Sequence, residues 1–194
     1  AFFVTQKGHV ITNFHVVEGC KDKSKIVYQD NEVKIKLIAK DKYLDLALLK
    51  ADIENKHYIV ISNKSPKKLQ RIIAAGYPFG KELSDDLKFT SGIISSLKGL
   101  DDDSTRLQID AALNYGNSGG PIVDEETGEL VAVAVAGLSK EITESINFGI
   151  KAGSLKNFLE SNQINTSLLA KNFSFGSIDL SAILENATVY TYCK

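Results

Sequence analysis

The sequence contains no apolar run of about 18 residues, so no segment of it reads as a membrane-crossing helix. It has no surplus of either charge: Lys and Arg total 23, Asp and Glu total 24, and the net charge is −1. That balance leaves no electrostatic footprint for nucleic acid or an anionic membrane, and Lys67-Lys68 is too short to make a basic patch. Cysteine is scarce. Cys20 and Cys193 stand near opposite ends of the chain and fit no metal spacing, which would place ligands about two to four residues apart. No metal or cofactor is expected. The two cysteines are either free or joined. A bond closing so long a loop would stabilise the fold by about 3–5 kcal/mol in the chain-entropy account and would imply an oxidising compartment. There is no internal repeat and no low-complexity segment. There is also no initiator methionine or signal peptide: the chain opens inside an apolar run at Ala1 and reads as processed or trimmed.

Short strand-like segments are what the sequence does contain. They fall at 1–4, 9–12, 26–29, 32–39, 45–50, 70–76, 87–95, 106–110, 121–124, 130–137 and 146–151. Val33, Ile35, Leu37 and Ala39 recur at every second position, the pattern of a half-buried strand. Polar spacers separate the segments, and many short strands so spaced indicate an all-β barrel or sandwich. Helical signals are few: one turn at 13–18, and a helix over 155–161 with Ser154 as its N-cap. Residues 62–68 are the best linker between an N-terminal half (1–64) and a C-terminal half (65–161). Residues 162–186 read as a polar, irregular tail without a period, and 187–193 alternate as a terminal strand.

The most informative hexapeptide is Gly116-Asn117-Ser118-Gly119-Gly120-Pro121. Three glycines around one serine permit a tight turn with unusual backbone angles. Such a turn exposes the side-chain oxygen and aims backbone N–H groups into one pocket, which suits stabilising an oxyanion after a hydroxyl attacks a carbonyl. Taken alone, the hexapeptide also fits a glycine-rich hairpin without chemistry. A serine hydroxyl needs a base, usually a histidine oriented by a carboxylate. The chain has only three histidines, His9, His15 and His57, and all precede Ser118. Gly-x-Ser-x-Gly also fits the nucleophile elbow of α/β-hydrolases, but that fold places its histidine after the serine. The subtilisin order would require His57 in a chain too short and too strand-rich for that fold. The order that remains is His, Asp, Ser. His15 follows an apolar strand and a polar turn, a setting that holds an imidazole at a cleft edge. His9 and His57 lie in polar or strand-start contexts that suit structural or solvent roles. Asp45 has apolar neighbours on both sides, so its carboxylate needs a partner. Asp110 is the alternative acid.

Three segments in this order carry a family resemblance: Val10-Ile11-Thr12-Asn13-Phe14-His15-Val16-Val17; Asp45-Leu46-Ala47-Leu48-Leu49; and Asp110-Ala111-Ala112-Leu113-Asn114 leading into the Ser118 hexapeptide. From Ala1 to about Leu159 the chain resembles the trypsin-like serine peptidases of the HtrA/Deg group. The resemblance implies an all-β chain of two six-stranded antiparallel β-barrels with a short C-terminal helix and tail. The active site would lie in the cleft between the barrels, with His15, Asp45 and Ser118 as catalytic triad. The oxyanion hole would come from Gly116, Asn117 and Ser118, with the Gly116 and Ser118 amides as its donors. Asn147, Phe148 and Gly149 would form the strand that pairs with substrate. It also implies a serine endopeptidase acting on unfolded or damaged polypeptides, a periplasmic or secreted location, and assembly as a trimer. Two features depart from the group. Tyr115 stands where proline is usual. The residues after Leu159 are too few for the PDZ domain that commonly follows, so selection by a fused PDZ is not expected of the chain as given.

The residue six before the nucleophile, Ala112, is expected near the base of the primary specificity pocket. Without an acid there, a Lys or Arg side chain would bury an unpaired charge, so cleavage after small or medium aliphatic residues is expected. Asn117 precedes the serine where zymogens of the digestive type carry an acid, which argues against activation by a freed N-terminus. Ordering of the loops at 80–86, 99–104 and 136–145 is the expected control.

Overall fold

The computed structural model describes residues 1–20, 23–78, 86–136, 146–166 and 180–193. It forms two antiparallel sheets of six strands. The first contains β1 (Phe2–Phe3), β2 (His9–Asn13), β3 (Ser24–Tyr28), β4 (Asn31–Asp41), β5 (Leu46–Ala51) and β12 (Tyr190–Cys193). The second contains β6 (Arg71–Gly76), β7 (Lys88–Ser96), β8 (Arg106–Ile109), β9 (Pro121–Asp124), β10 (Leu130–Val135) and β11 (Asn147–Lys151). The second sheet closes as a barrel in the order β10-β11-β8-β7-β6-β9.

The first sheet does not close. Its order is β1-β2-β5-β4-β3-β12, leaving β1 and β12 as edges. Their meeting is limited by the length of β1, only two residues. A single bridge joins Phe2 to Thr188, and the Val189 N–H donates to the Ala1 carbonyl at 2.8 Å. The result is a half-barrel whose seam is sewn at one point.

Burial follows the sequence pattern. All six residues of β10 are buried, as a continuous apolar run requires when both faces are covered. β4 keeps its alternation only as far as Ile35. Leu37 is 43% exposed, and a register shift follows it, between Leu37 and Ala39. One apolar cluster fills the half-barrel around Phe3, Ile26 and Leu49, and another fills the closed barrel around Ile94, Leu107 and Ile122. A third joins the two halves, uniting Phe2, Ile11 and Leu48 with Val123, Val133 and Leu155.

Three helices complete the described chain: α1 (Phe14–Val17), α2 (Ala152–Ser161) and α3 (Leu180–Ala187). α2 starts before the expected cap. Ser154 lies inside the first turn, and its hydroxyl donates to the Thr105 carbonyl at 3.4 Å instead of capping the helix. The reading of 162–186 as aperiodic is corrected by α3. Ile183, Leu184 and Ala187 are its buried residues, one face of a helix. The stretch after α3 returns to the half-barrel, where β12 pairs with β3 from Tyr190↔Val27 to Cys193↔Ser24. Cys193 is bonded to Cys20, with Cα atoms 5.2 Å apart, tying this last strand to the segment that follows α1.

Candidate active site

β2 ends at Asn13 and the chain turns directly into α1, whose second residue is His15. Opposite it, Asp45 occupies the turn before β5. The Asp41 side chain shapes that turn: its Oδ1 accepts the N–H groups of Tyr43 and Leu44 at 2.9 and 3.0 Å. Asp45 is left in the left-handed region with φ +60°, a conformation that Asp tolerates better than most residues. There its carbonyl accepts from the Phe14 N–H at 3.1 Å and from Asn13 Nδ2 at 3.0 Å. Its carboxylate takes the His15 N–H on Oδ1 at 2.9 Å and meets His15 Nδ1 with Oδ2 at 2.7 Å. A carboxylate only accepts, so Nδ1 carries a proton, and in the neutral ring Nε2 keeps its lone pair. The Asp45 side chain is 17% exposed and that of His15 45%, so the acid is sheltered while the imidazole edge faces the cleft.

The serine turn is held to both halves. Gly119 has φ +75°, and a Cβ built there would stand 2.2 Å from Thr12 Oγ1 and 2.7 Å from the Asn13 nitrogen. The backbone of the turn therefore rests on the end of β2, just before α1 and His15, and only glycine fits the contact. On its other side the Gly119 N–H donates to the Ala134 carbonyl at 2.9 Å, and the Ala134 N–H donates to the Gly120 carbonyl at 2.8 Å. Gly116, at φ +97°, turns the chain ahead of Ser118. The Asn117 N–H is taken by the Asn114 carbonyl at 3.0 Å. The Gly116 and Ser118 amides have no acceptor among the described residues.

The Ser118 hydroxyl donates to the Ala136 carbonyl and accepts from the Ala136 N–H, both at 3.2 Å. It thus engages the end of β10 rather than the His15 ring. A rotation about χ1 would redirect it, because staggered rotamers are the alternatives open to a serine.

The other expected residues fall as follows. Asp110 is engaged elsewhere: its Oδ1 accepts the Ile93 N–H at 2.6 Å and so supports β7. Ala112 is exposed, and its carbonyl accepts from Thr90 Oγ1 at 2.9 Å. β11 is an interior strand. Asn147, Phe148 and Gly149 pair with Ile109, Gln108 and Leu107 of β8, while Phe148 and Gly149 pair also with Val135 and Ala134 of β10. Phe148 and Gly149 are thus paired on both sides, and Asn147 on one. The Asn147 side chain is also occupied, donating to the Ala111 carbonyl at 2.9 Å. His9 makes a local contact, with Nδ1 2.7 Å from Thr5 Oγ1, and burial followed by the charges of Lys50 and Lys7 lowers its pKa. The loop at 99–104 carries a short 3₁₀ turn at Leu100–Asp102, while most of the loops at 80–86 and 136–145 lies outside the described residues. No group of His, Cys, Asp and Glu suited to a metal occurs among the described residues.

Two contacts of the candidate site were not visible in the sequence. Ala136 closes the apolar run of β10, and nothing in that run marks the residue that will stand beside Ser118. The Thr12–Asn13 seat of Gly119 likewise depends on how the two halves meet.

A family profile described as a trypsin-like peptidase domain matches residues 1–133. The chain is 34% identical over 166 residues to the serine protease Do-like HtrA of Bacillus subtilis, covering 79% of this chain and 36% of that protein. It is 36% identical over 168 residues to a probable periplasmic serine endoprotease, DegP-like, of Rhizobium meliloti, covering 82% of this chain and 32% of that protein. The crystal structure of the serine endoprotease from Yersinia pestis superposes with a TM-score of 0.69 at 32% identity, over 82% of this chain and 55% of that one. The chain thus spans about a third of the length of these curated relatives.

Proposed function

Because the chain belongs to the trypsin-like peptidase family and is similar to its HtrA-like members, we propose that it is a serine endopeptidase that cleaves unfolded or damaged polypeptides through an acyl-enzyme on Ser118. The observation that carries this reading is the double engagement of His15 by the Asp45 carboxylate, through the backbone N–H and ring Nδ1. It fixes the tautomer whose Nε2 accepts a proton.

In the proposed reaction Ser118 Oγ attacks the scissile carbonyl carbon and its proton passes to His15 Nε2. The carbonyl oxygen takes the negative charge and is met by the Gly116 and Ser118 amides. His15 returns the proton to the leaving amine as the C–N bond breaks. Water then attacks the ester with His15 again as base, releasing the new carboxylate and restoring the Ser118 hydroxyl. An extended substrate would pair with the backbone of Ala136, exchanging with Ser118 Oγ for the same N–H and carbonyl. Binding and release of the nucleophile would then be one event.

A periplasmic or secreted site of action fits the Cys20–Cys193 bond, since disulfides persist in oxidising compartments. The periplasmic DegP-like relative points the same way. No described helix is long and apolar enough to cross a membrane.

With Ala112 carrying no charge near the primary pocket, digestion of a reduced, unfolded protein is expected to yield new C-termini dominated by Ala and Val. Mass spectrometry of the products reads this directly, and a dominance of Lys or Arg at the new C-termini would overturn the assignment.

A further inference from the structure

A cavity of about 220 Å³ opens where β3, α3 and the start of β12 meet the residue after β6. Its lining includes Tyr28, Tyr77 and Tyr190, the carboxylates of Asp30 and Glu185, and Thr188. The Tyr77 and Tyr190 rings meet edge to face with centroids 6.1 Å apart, making a corner of two aromatic walls. Among the described residues the lining contains no Lys, Arg or His. Asp30 and Glu185 are exposed and have no hydrogen-bond or ion-pair partner among the described residues. Thr188 is 2% exposed, and its Oγ1 has no hydrogen-bond partner among the described residues.

We infer that this cavity is a binding site for an organic cation, the guanidinium or alkylammonium head of a small molecule or of a polypeptide side chain. Aromatic faces attract such heads through their quadrupoles, and the two carboxylates supply the opposite charge. The volume is below the roughly 300 Å³ at which sites for drug-sized ligands begin, so it suits a head group and a short stem. The negative field is already felt inside: the Tyr77 hydroxyl pKa is raised by burial first, then by the charges of Asp86 and Glu185. The cavity also adjoins the catalytic turn. Tyr77 follows Gly76, whose Cα packs so closely on Asn117 that an added Cβ would lie 2.6 Å from Asn117 Oδ1. A cation held there would sit one residue from the backbone that supports the Ser118 turn.

The test uses the Ser118→Ala chain, so it does not depend on turnover and can fail separately from the peptidase reading. Butylguanidinium and its neutral isostere butylurea are titrated while tyrosine ring signals are followed by NMR. Saturable shifts of Tyr77 and Tyr190 with butylguanidinium, and binding of butylurea weaker by about fivefold or more, are expected. The double variant Asp30→Asn, Glu185→Gln should lower butylguanidinium affinity by a similar factor of about five. Both residues are exposed, and asparagine tolerates the φ of +62° at position 30, so the fold should be kept. Equal binding of the cation and the urea, or unchanged affinity in the double variant, overturns the site. A second arm compares an unfolded polypeptide carrying arginine with one carrying citrulline. Tighter binding of the arginine form assigns the head group to a polypeptide, and equal binding assigns it to a free organic cation.

Discussion

Ser118→Ala is expected to lower kcat/KM on an unfolded polypeptide by about 10⁴-fold or more while leaving the fold in place. The change removes the oxygen that would bond the substrate carbonyl, and no other described hydroxyl stands in the glycine turn. Structurally the loss is small. Ser118 Oγ makes two long hydrogen bonds to Ala136, and bonds of this kind contribute about 1 kcal/mol each at most. The Gly119 seat on Thr12 and Asn13 and the Gly119–Ala134 bond involve only the backbone of the turn. Thermal unfolding of the variant should therefore shift by only a few degrees. Retention of most of the activity would assign the chemistry to another nucleophile.

Asp45→Asn should lower kcat by about 10⁴-fold with little change in KM. Asparagine keeps the shape and the tolerance of φ +60°, so the turn before β5 survives. Its carbonyl can still accept the His15 N–H. The second atom becomes an NH₂ group facing Nδ1, and two donors cannot share that contact. The imidazole then places its proton on Nε2, the nitrogen that must receive the Ser118 proton. Asp110→Asn is the control, because its carboxylate supports the Ile93 amide rather than a histidine. A larger loss in Asp110→Asn than in Asp45→Asn would reverse the assignment of the acid.

The sequence made Ser118 and His15 legible for different reasons. The serine turn is local: glycine spacing alone announces a backbone that few other residues can adopt. His15 follows from chain order, since no histidine lies beyond Ser118. Asp45 was less legible. Its apolar neighbours suggested a strand position, whereas it occupies a left-handed turn set by the Asp41 side chain. Sequence reading left Asp110 as the alternative, and only the pairing across 30 residues separates the two. The partners of β11 could not be read from the sequence, because a strand's neighbours are long-range facts. The same limit hid the seam of the half-barrel, where Phe2 of β1 bridges to Thr188 just ahead of β12. α3 is a different case. Leu180, Ile183, Leu184 and Ala187 stand at i, i+3, i+4 and i+7, the helical period, but the polar residues before them masked it.

The most direct test of the triad is covalent labelling by a fluorophosphonate, read as intact mass and mapped to a residue. The account predicts a single adduct per chain, on Ser118, formed far more slowly in His15→Ala and absent in Ser118→Ala. An adduct on another residue, or labelling of Ser118 at an unchanged rate in His15→Ala, would contradict it.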